Sequence, residues 1–177
     1  MSGKSIIVIS PSGTFTGESE MINRLFDAGL FRYHIFKTDA TEQSIAEILE
    51  GITPKFLSQI TLHSHYHLVL AYGVGGIHYS MAHRISLGDD YIAKVNLYQG
   101  FGVKVSTDVD ESDWSPADYA ISLKVPQNVD ENRSEFIMTK DIRSIQFRRS
   151  ALNLQDVFVT HSLEDIIRTI SMASGKT

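Results

Sequence analysis

The chain has 177 residues, 42% of them hydrophobic and 21% charged, as in an ordinary globular protein with a sizeable core. Its formal charge is −5. The basic residues are scattered, apart from Arg143, Arg148 and Arg149, which read as a solvated helix face, so no nucleic-acid partner is expected. The lack of cysteine excludes disulfides, thiolate metal sites and a cysteine nucleophile. No run approaches the roughly 20 apolar residues of a bilayer span, so a cytoplasmic protein with no membrane partner is predicted.

In chain order, residues 5–10 form a short apolar run that Pro11 and Gly13 terminate. It is too short for a secretory signal and reads as a first buried strand. Residues 18–28 carry Met21, Ile22, Leu25 and Phe26 on one helical face, with Gly29 placed to end the helix. Residues 32–37 are the second strand. Thr41 caps a helix whose stripe is Ile45, Ile48 and Leu49 and which stops at Gly51. Residues 59–64 are the third strand, 67–72 a short helix and 75–80 the fourth strand. Residues 80–100 show a weak helical pattern. Further strands are read at 101–106, 117–122, 134–139 and 155–160, and helices at 142–152 and 163–172, with Ser162 and Asp165 resembling a capping box.

Strands alternating with helices imply parallel pairing through right-handed crossovers. Eight such units over residues 1–177 predict a single domain, a small α/β (β/α)8 TIM-type barrel with shortened fourth and sixth connections. An open doubly wound sheet is the alternative.

Three segments resemble the thiamine phosphate synthase and thiazole tautomerase superfamily. The first runs from Ile6, Val8, Ile9, Ser10 and Pro11 through Gly17-Glu18 to Asn23-Arg24-Leu25-Phe26-Asp27-Ala28-Gly29-Leu30. The second is Tyr33-His34-Ile35-Phe36-Lys37. The third is Leu62-His63-Ser64-His65-Tyr66 with Gly73-Val74-Gly75-Gly76-Ile77-His78. The resemblance implies a protein of thiamine biosynthesis that is either a synthase or a tautomerase. A synthase joins a pyrimidine pyrophosphate to a thiazole phosphate, with Mg2+ expected. A tautomerase shifts a proton on the thiazole by general acid/base chemistry. It also allows a catalytically silent relative that binds a phosphate ligand in a regulatory role. An oligomer is compatible with any of these.

The synthase's charged groups are replaced at the matching positions. Phe36 stands where the family has an arginine on pyrophosphate, and His63-Ser64 where it has Asn-Asp. Ser80-Met81-Ala82 lacks the next aspartate, and neither phosphate-binding glycine turn is found near Lys140 or Thr160. What remains is a set of histidines on the second to fourth strands. Alternation places His34 with Phe36 and Thr38, His63 with His65, and His78 with Gly76 and Ser80. His34, His63 and His78 are therefore expected to face one space, with His65 at its rim. Such a cluster can shuttle protons, bind a borderline metal or be structural. Lys37, Thr38, Ser64, Ser80 and Lys140 follow strands and are candidate ligand contacts. The acidic loop Asp108, Asp110, Glu111 and Asp113 reads as solvated. Gly73-Val74-Gly75-Gly76 enters a strand rather than leaving one, so it is not a dinucleotide fingerprint, and no nucleophile elbow is present.

Overall fold

The computed structural model describes residues 6–37, 40–108, 116–121, 136–139, 142–144, 157–160 and 163–173. Six strands run parallel in chain order: β1 (Ile7–Ile9), β2 (Arg32–Ile35), β3 (Ile60–Leu62), β4 (Gly76–Tyr79), β5 (Lys104–Asp108) and β6 (Tyr119–Ile121). They form a curled half-barrel. Around them lie α1 (Glu18–Asp27), α2 (Glu42–Gly51), α3 (His67–Tyr72), α4 (Met81–Leu87), α5 (Asp90–Gly100) and α6 (Leu163–Ala173), with a 3-10 turn at Pro54–Gln59.

Beyond β6 the strand pattern departs from eight parallel units. β7 (Phe136–Thr139) pairs antiparallel with β1, β9 (Val157–Thr160) antiparallel with β7, and β8 (Ile142–Ser144) antiparallel with β6. The sheet order is β8-β6-β5-β4-β3-β2-β1-β7-β9, and among the described residues its two ends do not pair. Two further results differ from the sequence expectation. The region expected to start a helix at Ile142 is a strand, because pairing with β6 overrides a short apolar pattern of ambiguous period. The fourth connection is not shortened but holds two helices, α4 and α5. The sixth connection, residues 123–133, lies outside the described residues.

The local signals explain the rest. The buried side chains of α1 include the expected Met21, Ile22, Leu25 and Phe26, and Gly29 follows at φ 108°, a left-handed position that suits glycine. The Thr41 side chain accepts a hydrogen bond from the Ser44 N–H and so caps α2, whose buried face is Ile45, Ile48 and Leu49. These faces pack on Val8, Tyr33, Ile35, Ile60, Leu62, Ile77 and Val105, making an apolar layer on the convex side of the sheet.

The concave side is different. In parallel strands, residues paired in register face the same way. Registers Ile9↔His34, His34↔Thr61, Thr61↔Gly76, His78↔Ser106 and Ser106↔Tyr119 run the concave face across five steps of the sheet. That face carries Arg32, His34, Thr61, His78 and Ser106, all buried and all polar. Buried polar groups are retained only where they find partners, so this layer must be a hydrogen-bonded network.

Candidate functional site

The histidines come from the C-terminal halves of β2 and β4 and from the residue after β3. His34 Nδ1 lies 2.8 Å from His63 Nε2. The other nitrogen of His34 is 3.3 Å from the Tyr119 hydroxyl. His63 stacks on His78 with ring centroids 4.2 Å apart and planes 20° apart, and Phe36 lies against its ring at 4.7 Å. His78 is held at both nitrogens, with Nδ1 2.8 Å from Ser106 Oγ and Nε2 2.8 Å from Asp108 Oδ1. The second Asp108 oxygen accepts the Met81 N–H at 2.8 Å.

Their environments differ. His34 and His78 are fully buried, whereas His63 is half-buried. Burial, with the charges of His78 and Arg32, holds the His34 pKa well below its ordinary value, so that ring is neutral. Burial pushes the Asp108 carboxyl up. The hydrogen bond and charge of His78, together with the Met81 N–H and Arg84, outweigh it and leave Asp108 below its ordinary value. Tyr66 ties the site from beneath. Its hydroxyl lies 2.5 Å from the His78 carbonyl and 3.1 Å from that of His63, and burial pushes its pKa up.

His34, His63 and His78 thus converge, but His65 does not join them. β3 ends at Leu62 and His65 takes a left-handed φ of 53°, so strand alternation no longer directs its side chain. Its ring meets Ser64 Oγ at 3.0 Å and lies 6.3 Å from the His67 ring. Ser64 is thus bonded to His65. Ser80 caps α4 by accepting the His83 N–H. Lys37 points to the convex side, where Nζ pairs with Glu18 Oε2 at 2.8 Å and donates to the carbonyls of Pro11 and Gly13. Thr38 and Lys140 lie outside the described residues. Asp108, expected in a solvated acidic loop, instead ends β5 and bonds to His78 and the Met81 N–H, while Ser106, Tyr119 and Tyr66 carry no expectation as site residues. The period-two pattern of Ser106 and Asp108 on one strand was the available signal.

No family model matches the chain, and no curated relative matches it. Among solved structures it is similar to a thiamine phosphate pyrophosphorylase from Bacteroides thetaiotaomicron, with 24% sequence identity and a TM-score of 0.44. That match covers 58% of this chain and 56% of the other, so the chain spans about half the length of the structure it matches.

The donor set decides what the cluster can hold. One nitrogen from each of the three histidines lies within 4.8 Å of the others. Ligands of one tetrahedral ion must aim their lone pairs at a common point. The stacked rings of His63 and His78 instead direct theirs along nearly parallel planes, and both nitrogens of His78 are already engaged. Mg2+ fits no better, since it requires several oxygen ligands. Asp108 is the carboxylate that reaches the histidines among the described residues, and its two oxygens are bonded to His78 and the Met81 N–H. The arrangement suits proton movement rather than metal binding. A neutral His34 carries one ring proton. With that proton on Nδ1 it donates to His63 and accepts from Tyr119. With it on Nε2 the direction reverses.

Proposed function

We propose that the chain is an acid/base protein of the thiazole tautomerase kind, moving a proton on a small heterocyclic ligand through His63. The observation that carries this reading is the Tyr119–His34–His63 chain, in which a buried neutral imidazole links a phenol to the half-buried ring of His63. His63 takes the proton from one ligand atom and returns it to another, so no net proton is gained or lost, and neutral His34 fixes the tautomer of His63 through the 2.8 Å contact. His78 is a positioning residue. Fixed by Asp108 and Ser106, it supports the face of His63 opposite any ligand. The sequence resemblance across the second to fourth strands supports a role in thiamine biosynthesis. A phosphate- or thiazole-type small molecule is the partner, and a cytoplasmic location accords with the cysteine-free composition.

Synthase activity is not part of this reading. Phe36, placed where the resemblance calls for an arginine, packs on His63, and the Ser64 side chain is bonded to His65. Losing one preorganised charge contact typically costs 10²-fold or more in rate. The test is solvent deuterium incorporation into a thiazole phosphate. The wild type is expected to catalyse exchange and His63→Gln to lose it, with the melting temperature little changed. Thiamine phosphate should not form when both precursors are supplied. Absence of wild-type exchange, or exchange unaffected by His63→Gln, overturns the proposal.

A further inference from the structure

The concave face carries a cation that the proton relay does not use. Arg32 opens β2 on the same side as His34 and is only 8% exposed. Its Nη1 donates to Thr61 Oγ1 at 3.1 Å, but its Nε is buried and has no hydrogen-bond partner. Among the described residues no carboxylate pairs with the guanidinium. A charge withdrawn from water without a counter-charge costs several kcal/mol, so such a group is retained where something else compensates it.

The backbone makes room for this group. A Cβ on Gly76 would lie 2.9 Å from Arg32 Nη1 and 2.5 Å from Thr61 Oγ1. Glycine at the start of β4 therefore lets the guanidinium reach across β3 to the edge of β4. Its charge is felt by the reacting groups, since it helps depress His34 and opposes the upward push of burial on Tyr119.

We infer that Arg32 anchors the oxyanion group of a small ligand bound on the concave face, through a side-on pair of donors that includes the unpartnered Nε–H. A guanidinium presents two parallel N–H groups to a carboxylate or to one edge of a phosphate, a geometry lysine cannot offer. His34 is two residues along the same strand, about 6.6 Å away. A ring compound carrying one oxyanion would span from Arg32 toward the histidines. This deepens the acid/base reading, on which it rests for the placement of the reacting atom, by naming the residue that holds the oxyanion of the ligand.

The experiment is thermal denaturation of the full chain at pH 7.5 in sodium phosphate and in sodium acetate, each against sodium chloride of equal ionic strength. At least one oxyanion is expected to raise the wild-type midpoint saturably, as ligand linkage requires. Response to phosphate alone or to acetate alone identifies the anion. Arg32→Met should abolish the shift, and Arg32→Lys should retain only part of it. No shift in the wild type, or an equal shift in a folded Arg32→Met protein, overturns the inference. Should Arg32→Met fail to fold, the Arg32 Nε–H resonance in 15N-labelled wild type decides: it moves on titration with the anion, or the inference falls. His63→Gln should keep the oxyanion response. Lost exchange in wild type with retained anion binding therefore defeats the proton relay alone, and retained exchange without anion binding defeats the anchor alone.

Discussion

Single side chains on the two faces of the sheet do different work. On the convex side, Lys37 and Glu18 form an ion pair in which both side chains are essentially inaccessible, and Tyr33 donates a further hydrogen bond to the same carboxylate oxygen. Burial pushes the Glu18 carboxyl up, and Lys37 opposes it. Removing one partner of such a pair leaves an uncompensated buried charge, which typically costs 3–5 kcal/mol. Lys37→Met is therefore expected to lower the unfolding free energy measured by urea titration by an amount in that range, whereas Lys37→Met with Glu18→Gln should recover much of it. An unchanged midpoint in the single variant would show that Lys37 is not tying the loop before α1. Lys37 was read from sequence as a ligand contact. Alternation from His34 and Phe36 already places Lys37 on the opposite face; what no local pattern shows is that Glu18 of α1 waits there to pair with it. The histidines were more readable because alternation holds within a strand. His34, Thr61 and His78 lie in continuous strands and share a face, and His63 keeps that face one residue past β3. His65, three residues past it, does not.

Whole elements are placed by signals of unequal strength. The helices α1, α2 and α3 were legible because each has an apolar stripe of period 3.6 and a cap or glycine stop. β8 was misread because pairing across the sheet, which no local pattern encodes, decides whether a short apolar run is strand or helix. The backbone also sets limits that only the packed structure reveals. A Cβ on Gly75 would sit 1.8 Å from the Ser58 carbonyl oxygen, a contact that backbone must move to relieve. The Gly75 N–H is meanwhile bonded to Leu57 and its carbonyl to Lys104. Gly75→Ala is expected to destabilise by about 3 kcal/mol or more, at the severe end of single substitutions. By contrast Thr41→Ala, which removes the exposed cap of α2, should cost only about 1 kcal/mol. Denaturant midpoints of the two variants test the ranking, and a smaller loss for Gly75→Ala would contradict the close approach of Gly75 to the 3-10 turn at Pro54–Gln59. Tyr66→Phe belongs to the same scale. It removes the hydroxyl that meets the carbonyls of His63 and His78, and so should loosen the stacked pair and slow exchange without abolishing it.

At the scale of the molecule, a sheet apolar on its convex side and polar on its concave side makes stability depend on pH. His34 has a folded pKa well below the ordinary 6.5 because its ring is fully buried. Below pH 6.5 the unfolded chain therefore binds a proton that the folded chain refuses, and stability falls as pH falls until the folded pKa is reached. Asp108, whose folded pKa lies below the ordinary 3.8, adds its loss only at lower pH. Glu18, whose folded pKa is raised above 4.5, acts in the opposite sense. Its folded form takes up a proton first, which offsets part of the loss between its raised value and 4.5. The earliest acid effect should thus come from histidine and be visible between pH 6.5 and 5, with a slope of up to about 1.4 kcal/mol per pH unit for one excluded proton. Urea midpoints from pH 8 to pH 5 should be flat above 7 and decline below 6.5. The His34 ring resonances should not titrate over the decline. A stability profile flat to pH 5, or a His34 ring that titrates near 6.5 in the folded protein, would show that this imidazole is not held neutral. The link between Tyr119 and His63 would then lose its physical basis.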